Sequence, residues 1–287
     1  MKIKKSLGQN FLKSVPALNN IVKAGEIKKD DVILEIGPGK GALTEKLLQT
    51  GAKVIAVEKD NDLFEFLKDK FAKEIESRSL VLVHEDILDF DCVRQDLTQY
   101  KIIANIPYNI TGAILKKFLT DKHQPTSMVL MVQNEVAKRI VARDGKESIL
   151  SISVKAYGDP KLIMKVPARY FSPAPKVDSA VISINNISRK NFITLPPPPF
   201  DELRTPPPSQ GGGRSEVQNK ALNSLEFEQK FWEIVKAGFA HKRKKLSGNL
   251  KHIGVSYGIG NSYVLLGNKR AEELTLKDWI EFVKTLR

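Results

Sequence analysis

Short β-rich runs alternate with amphipathic helical segments through the first two-thirds of the chain, and this alternation restricts the fold more than any other feature. The clearest strand candidates are residues 32–36, 53–58, 80–84, 101–104 and 128–133. Segments with helical periodicity lie between them, at residues 42–50, 61–76 and 112–120. This order predicts an α/β fold with a doubly wound, mostly parallel sheet.

Beyond about residue 160 the chain has a different organisation. Two β-rich runs, residues 162–166 and 177–184, follow without a long helix between them, which predicts an antiparallel pair at the sheet edge. Residues 185–225 contain a run of four prolines, a run of three prolines and a triglycine, so we expect a mostly disordered linker or insertion. Helical periodicity resumes at Glu226 and predicts a small all-helical C-terminal domain over residues 226–287.

Composition narrows the class of partner. The formal net charge of +13 favours a polyanion, either nucleic acid or an anionic membrane surface, over a neutral partner. Cys92 is the only cysteine and the four histidines lack ligand spacing, so we expect no metal site. We also expect a cytoplasmic protein without a membrane span, because no apolar run is long enough and the N-terminus lacks a signal-peptide core.

A glycine-rich turn follows the first predicted strand of the sheet. Its spacing, Gly37-x-Gly39-x-Gly41, differs from the Gly-x-Gly-x-x-Gly of dinucleotide binders. Glu58 ends the next strand, where a carboxylate can accept hydrogen bonds from both hydroxyls of a ribose. NAD and S-adenosylmethionine both carry such a ribose.

Two further acids favour S-adenosylmethionine. Glu35 lies just before the glycines, where a negative charge suits a sulfonium or ammonium better than a pyrophosphate. Asp86 follows the third strand and is a candidate acceptor for the adenine amine. Three acids at successive strand ends beside a glycine turn indicate a cofactor site, although a single acid there would be an ordinary surface residue.

The tetrapeptide Asn105-Ile106-Pro107-Tyr108 comes directly after the fourth predicted strand. An amide, a backbone carbonyl beside proline and an aromatic ring are suited to holding a planar amine such as a nucleobase. The same residue types also form ordinary turns, so this motif alone leaves both interpretations open.

Taken together, these motifs resemble the ribosomal RNA adenine N6,N6-dimethyltransferases of the bacterial KsgA type. The motifs are residues 9–12, 35–41, Glu58, Asp86, 105–108 and 171–180, and the similarity resumes at residues 237–246 and 266–276. The resemblance implies a Rossmann-like class I methyltransferase domain over residues 1–184. It also implies S-adenosyl-L-methionine as cofactor, bound by Asn10, Leu12, Gly37, Gly39, Glu58, Asp86 and Asn105.

The resemblance further implies an adenine clamp at the tetrapeptide. The Asn105 amide oxygen and the Ile106 carbonyl would accept the two N–H groups of the target amine, favouring a pyramidal nitrogen in the transition state. Pro107 belongs to this clamp because it leaves the neighbouring Ile106 carbonyl available, and Tyr108 and Phe171 would stack on the flipped base. For Phe171, burial in the core is the competing interpretation.

The implied substrate is a pair of adjacent adenosines near the 3′ end of small-subunit (16S) rRNA within a pre-ribosomal particle, and the protein is expected to act as a monomer. Candidate phosphate contacts are Lys138, Arg139, Lys242, Arg243, Lys244 and Lys245. An N-terminal arm with Lys2, Lys4 and Lys5 is a third candidate group. Each group alone is usually a solvated face, and the four consecutive basic residues 242–245 are the strongest candidate.

Two other functions stay open at this point. One is the macrolide-resistance type of methyltransferase, which modifies one adenosine of large-subunit rRNA. The other is an RNA-binding ribosome assembly factor in which catalysis is dispensable. The motif at residues 171–180 and the basic region at residues 241–246 resemble the small-subunit type more closely.

Overall fold

The computed structural model describes residues 4, 8–95, 97–142, 146–193, 216–251 and 268–286 of the chain. The strands are β1 Phe11–Leu12, β2 Val32–Ile36, β3 Lys53–Glu58, β4 Leu80–His84, β5 Lys101–Asn105, β6 Ser127–Gln133, β7 Asp159–Val166, β8 Phe171–Ser172 and β9 Ser179–Asn185. The α-helices are α1 Val15–Ala24, α2 Ala42–Leu48, α3 Asn61–Lys70, α4 Ala72–Glu76, α5 Thr111–Thr120, α6 Asn134–Val141, α7 Ile149–Lys155, α8 Glu216–Gly238, α9 Leu246–Leu250 and α10 Leu276–Lys284.

Seven strands form one sheet in the order β4-β3-β2-β5-β6-β9-β7. The first five strands are parallel to one another, whereas β9 is antiparallel to both β6 and β7. The predicted α/β fold with a doubly wound, mostly parallel sheet is therefore confirmed, and β7 and β9 form the expected antiparallel pair at one edge. The short strands β1 and β8 form a separate two-stranded sheet.

The central strands are mostly apolar, as expected for parallel strands that are buried on both faces. Ile33, Leu34 and Val54 are completely buried, as are Ile102 and Ile103. Among the described elements, α1 packs on α2, while α3 and α4 lie against β4. Burial of these β-branched and leucine side chains is the main free-energy gain on folding of the sheet.

The strand order reverses next to β2. From β2 the chain moves outward through β3 to β4, then returns to place β5 on the opposite side of β2. In open α/β sheets, ligands bind outside the carboxyl ends of the strands at such a switch point. Here Gly37 follows β2 and Asn105 ends β5, so the two most informative motifs of the sequence flank the switch point.

Two predicted segments differ from the structure. The helix predicted over residues 61–76 is broken at Phe71, whose backbone leaves helical geometry with φ −111° and ψ 30°. Phe71 is buried, and its ring occupies the space that a Cβ on Gly41 would take, at 2.5 Å. Packing against the glycine turn therefore overrides the helical periodicity at this residue.

The second difference concerns the predicted linker over residues 185–225. Asn185 ends β9, Lys190–Phe192 form a 3₁₀ turn, and α8 already begins at Glu216, ten residues before the predicted start. Phe192 is completely buried and its ring lies edge-on to that of Phe231 at 5.4 Å. The proline runs and the triglycine lie outside the described residues.

The chain divides into two compact units, Met1–Arg143 with Ser153–Ser188 and Asp144–Ile152 with Arg189–Arg287. The first unit contains both sheets. The described elements of the second are helical, with Trp279 and Val283 of α10 in its core. Residues 144–152 belong to the second unit, which was not predicted; there Glu147 N donates to the carbonyl of Glu272 at 2.9 Å.

Within the ranges given above, none of the helices has the length and apolar character of a membrane span.

Candidate active site

A cavity of about 820 Å³ opens at the carboxyl ends of β2, β3, β4 and β5. Every residue predicted to bind the cofactor contributes to its lining, as does the whole tetrapeptide. These predicted residues are Asn10, Leu12, Gly37, Gly39, Glu58, Asp86, Asn105, Ile106, Pro107 and Tyr108. The fold thus brings into one site residues that are as many as 98 positions apart in sequence.

The glycine turn forms the floor of this cavity. Gly37, Gly39 and Gly41 have φ values of 62°, 60° and 76°, in the left-handed region that favours glycine. Gly37 N donates to the carbonyl of Val57 at 3.0 Å, which ties the turn to β3. A Cβ on Gly39 would lie only 2.9 Å from the Phe11 ring, so the absence of a side chain there lets Phe11 pack directly on the turn.

Glu58 ends β3 and is 6% exposed. Its Oε2 accepts from Gly39 N at 3.2 Å, and its Oε1 accepts from Asp60 N at 2.8 Å. Burial raises the pKa of Glu58, against the lowering effect of these backbone N–H groups. The carboxylate is therefore held in one orientation at the cavity wall, as recognition of a ribose diol requires.

Glu35 is the most unusual acid of the site. It is 1% exposed and lines the cavity, and its Oε2 has no hydrogen-bond partner among the described residues. Burial raises the pKa of Glu35 to about 8, with Thr44 opposing the shift and the Glu58 charge adding to it. An unpartnered buried acid of this kind fits a cationic ligand group, because such a group would compensate the cost of ionisation.

Asp86 follows β4 at the other side of the cavity. Its Oδ2 pairs with Lys59 Nζ at 2.6 Å and its Oδ1 accepts from Leu88 N at 3.0 Å. Partial burial acts to raise the pKa of Asp86, but the Lys59 ammonium and the Leu88 N–H together outweigh it and the net shift is downward. The carboxylate is therefore ionised at neutral pH and available as an acceptor.

The tetrapeptide loop is fixed by contacts to distant parts of the first unit. Asn105 Nδ2 donates to the carbonyl of Asn10 at 3.1 Å. Among the described residues, Asn105 Oδ1 makes no hydrogen bond. The hydroxyl groups of Tyr108 and Ser179 are hydrogen-bonded to each other, and Ser179 is fully buried. Donation through the amide nitrogen leaves the amide oxygen of Asn105 as a free acceptor beside the glycine turn.

Residues 8–12, which we call the strap, form one wall of the cavity. Within the strap, β1 pairs with β8 in antiparallel register, and Leu12 is 5% exposed. Phe11 packs on Gly39, and Lys40 Nζ lies 5.2 Å from the centre of the Phe11 ring. The strap therefore contacts both the glycine turn and, through Asn10, the tetrapeptide loop.

Phe171 is the one predicted catalytic residue that lies apart from the cavity lining. It is 4% exposed and belongs to the hydrophobic core cluster that also contains Leu12 and Leu18. In this structure the Phe171 ring lies in the core, which was the competing interpretation. Its stacking on a base stays a prediction.

The predicted RNA contacts do not line the cavity either. Lys138 and Arg139 are exposed on α6, and residues 242–245 are exposed before α9.

Some features of the site had no sequence signal. The contact of Phe11 with Gly39 and the ion pair of Lys59 with Asp86 join residues 28 and 27 positions apart, outside the range of any local motif.

The residues described contain no cluster of His, Cys, Asp and Glu that could hold a metal ion.

The chain is similar in sequence to known proteins. The family model for ribosomal RNA adenine dimethylase matches residues 1–192. The chain is 38% identical to "Ribosomal RNA small subunit methyltransferase A" of Dehalococcoides mccartyi strain CBDB1, over 97% of this chain and 87% of that protein. It is 36% identical to the protein of the same name from Fusobacterium nucleatum, over 99% of this chain and 97% of that protein.

Solved structures support the fold. A dimethyladenosine transferase from Plasmodium falciparum superposes with a TM-score of 0.70 at 23% identity and 95% coverage of both chains. The 23S rRNA methyltransferase ErmE superposes with a TM-score of 0.66 at 21% identity, over 96% of this chain and 99% of that one. Because the family model covers about two-thirds of the chain, and relatives above 30% identity cover nearly all of it, the chain belongs to the ribosomal RNA adenine dimethylase family.

Proposed function

We propose that this protein transfers methyl groups from S-adenosylmethionine to the N6 amines of two adjacent adenosines near the 3′ end of small-subunit rRNA, forming N6,N6-dimethyladenosine. The observation that carries the proposal is the orientation of Asn105. Its amide nitrogen is engaged by the Asn10 carbonyl, and its amide oxygen remains free at the switch point of the sheet. A free acceptor at that position suits an amine that has to present its N–H groups.

The cofactor fits the acids and glycines that line the cavity. Glu58 would accept from the ribose hydroxyls, Asp86 from the adenine amine, and the buried Glu35 would face the cationic portion. The positive-φ glycines Gly37 and Gly39 allow close approach to the backbone of the turn. When bound, S-adenosylmethionine supplies an electrophilic methyl group and leaves as S-adenosylhomocysteine, and the amine loses one proton to solvent for each methyl group that it gains.

The chain's own residues would then activate and orient the acceptor. An exocyclic adenine amine is a poor nucleophile because its lone pair is conjugated with the ring. Hydrogen bonds from the amine to Asn105 Oδ1 and the Ile106 carbonyl would favour a pyramidal nitrogen, which stabilises the transition state more than the ground state. The Tyr108 ring would hold the flipped base in plane, so proximity and alignment supply most of the rate enhancement.

The small subunit is favoured over the large subunit by the relatives. The two relatives described above, at 36–38% identity, carry the small-subunit name, whereas the similarity to ErmE at 21% identity concerns the fold.

We further propose that the first unit is the methyltransferase domain and that the helical C-terminal unit binds RNA. Phosphate contacts would come from Lys138, Arg139, Lys242, Arg243, Lys244 and Lys245. The substrate would be a pre-ribosomal particle in the cytoplasm, and the enzyme would act as a monomer.

The test is methylation of purified ribosomal subunits that lack the modification. Each subunit is incubated with the enzyme and labelled S-adenosylmethionine, and nucleosides are then identified and located by mass spectrometry. We expect dimethyladenosine at two adjacent positions of small-subunit rRNA and none in the large subunit. Label in the large subunit would favour the macrolide-resistance type. Tight binding to the small particle without methyl transfer would favour the assembly-factor alternative.

A further inference from the structure

Asp60 does not line the cavity, yet it joins the strap to the acid at the end of β3. The residue is 4% exposed. Asp60 Oδ1 accepts from Lys4 Nζ at 2.8 Å, and Oδ2 accepts from Gln9 Nε2 at 2.9 Å. Lys4 N in turn donates to Gln9 Oε1 at 2.8 Å. Two side chains from the N-terminal part of the chain therefore converge on one buried carboxylate.

The same residue is also connected to the cofactor-facing side of the sheet. Asp60 N donates to Glu58 Oε1 at 2.8 Å, and Glu58 Oε2 accepts from Gly39 N. Phe11 of the strap packs on Gly39, so this series of contacts begins and ends at the strap. Asp60 is in addition the N-cap of α3, where Oδ1 accepts from Asp62 N at 2.9 Å.

We propose that Asp60 is a positioning residue that holds the strap closed over the cavity and keeps the Glu58 carboxylate in place for the cofactor. The inference rests on the proposed function, since it takes the cavity to be the S-adenosylmethionine site. The geometry supports a coupling because one carboxylate binds the strap through its side chain and Glu58 through its backbone. Loss of the carboxylate would free the strap directly, and it would affect Glu58 through movement of the Asp60 backbone, whose N–H remains the donor to Glu58.

Asp60→Asn separates this role from the helix cap. Asparagine is as good an N-cap as aspartate, so α3 is retained. In this variant, the Lys4 ammonium loses its anionic partner at position 60. When the amide oxygen of the new side chain accepts from the backbone N–H of α3, its NH₂ group faces the NH₂ group of Gln9, so two donors oppose each other. Asp62→Asn is the matched control, because Asp62 also pairs with Lys4 at 3.0 Å, but its side chain is 55% exposed and contributes no bond to the chain of contacts through Gln9 and Glu58.

A double variant tests whether restoring the hydrogen bond between positions 60 and 9 also restores cofactor affinity. In Asp60→Asn/Gln9→Glu, the new amide at position 60 would donate to the new carboxylate at position 9, and the second oxygen of that carboxylate would still accept from Lys4 N. The donor–acceptor pair between positions 60 and 9 is restored with reversed direction. A general loss of stability at position 60 would not be repaired by this second change.

Two measurements are made on the full-length protein, calorimetric affinity for S-adenosylmethionine and hydrogen exchange of the strap relative to α3. We expect Asp60→Asn to weaken the affinity about tenfold and to speed exchange in residues 8–12 while α3 stays protected. Asp62→Asn is expected to stay within about twofold of the wild type, and the double variant to recover most of the loss.

Wild-type affinity and wild-type strap exchange in Asp60→Asn would overturn the inference, as would a double variant no better than the single one. If the wild type itself does not bind S-adenosylmethionine, the proposed function fails instead. Lys4→Met answers the same question if Asp60→Asn does not fold, because it removes the charged partner without touching α3. Faster strap exchange is expected there, and unchanged exchange would count against the inference.

Discussion

Asn105 Nδ2 donates a hydrogen bond to the backbone carbonyl of Asn10 at 3.1 Å, across 95 positions of sequence. This contact determines which atom of the Asn105 amide is engaged by the protein and which is left for a ligand. It also connects the end of β5 to the strap, so the two walls of the cavity are positioned together.

The first prediction concerns pH and Glu35. Because burial raises its pKa to about 8, Glu35 is largely protonated in the ligand-free protein at pH 7. Binding of a cation beside it would favour the ionised form, so S-adenosylmethionine binding should release a proton near pH 7. Calorimetry in two buffers of different ionisation enthalpy measures this release. We expect it to be absent in Glu35→Gln, and equal release in both proteins would contradict the assignment.

The same shift affects stability without ligand. A carboxyl group with a raised pKa stabilises the fold while it is protonated, so its contribution is lost as pH rises from about 4.5 to about 8. The difference in unfolding free energy between Glu35→Gln and wild type should therefore grow with pH in that range, by up to about 1.4 kcal/mol per unit. Denaturant titrations at several pH values would reveal a flat difference if Glu35 ionises normally.

The second prediction uses two glycines with similar backbone geometry. Gly39 and Gly51 have φ of 60° and 82°, so alanine at either position costs about 1 kcal/mol of backbone strain. Only at Gly39 would the new Cβ collide with Phe11, at 2.9 Å, whereas at Gly51 the nearest atom belongs to Lys29 at 3.4 Å. Both variants should lose the stability that the backbone strain costs, and Gly39→Ala should lose more because of the collision; only Gly39→Ala should weaken S-adenosylmethionine binding, by about tenfold or more. Equal affinities would show that the strap contact is unimportant.

The third prediction separates the ring of Tyr108 from its hydroxyl. Tyr108→Phe leaves the buried Ser179 hydroxyl without its partner, which should cost about 1 kcal/mol of stability but retain most methyl transfer. Tyr108→Ala also removes the stacking surface and should lower the rate on RNA by at least about tenfold. Thermal unfolding and initial rates distinguish the two losses. A strongly inactive Tyr108→Phe would mean that the hydroxyl itself takes part.

The fourth prediction tests Phe171. A core position at 4% exposure predicts that Phe171→Leu loses about 1–2 kcal/mol of stability and leaves RNA affinity nearly unchanged. A stacking role predicts the reverse, with lower RNA affinity at unchanged stability. Denaturant unfolding and an RNA binding titration on the same preparation decide between them.

The sheet was predictable because its signals are local. Strand candidates at residues 32–36, 53–58 and 80–84 coincide with β2, β3 and β4, since buried parallel strands form continuous apolar runs between turns. Glycine spacing and strand-end acids likewise located the cavity, because the carboxyl ends of parallel strands share one edge.

Long-range packing could not be predicted in the same way. The break at Phe71 depends on the ring meeting Gly41, 30 residues away in sequence, and the strap depends on pairing of β1 with β8, about 160 residues away. Both are tertiary contacts without a periodic signature. The burial of Phe171 has the same origin, since its motif is compatible with either a core or a site position.

The central claim is that the free amide oxygen of Asn105 activates the target amine. Its most direct test is single-turnover methylation of small ribosomal subunits at saturating S-adenosylmethionine, comparing wild type with Asn105→Ala, and with Asn20→Ala at an exposed position of α1 as control. We predict a rate loss of at least about 10²-fold for Asn105→Ala, with RNA affinity within a few-fold of wild type. Methylation by Asn105→Ala at the wild-type rate would contradict the account.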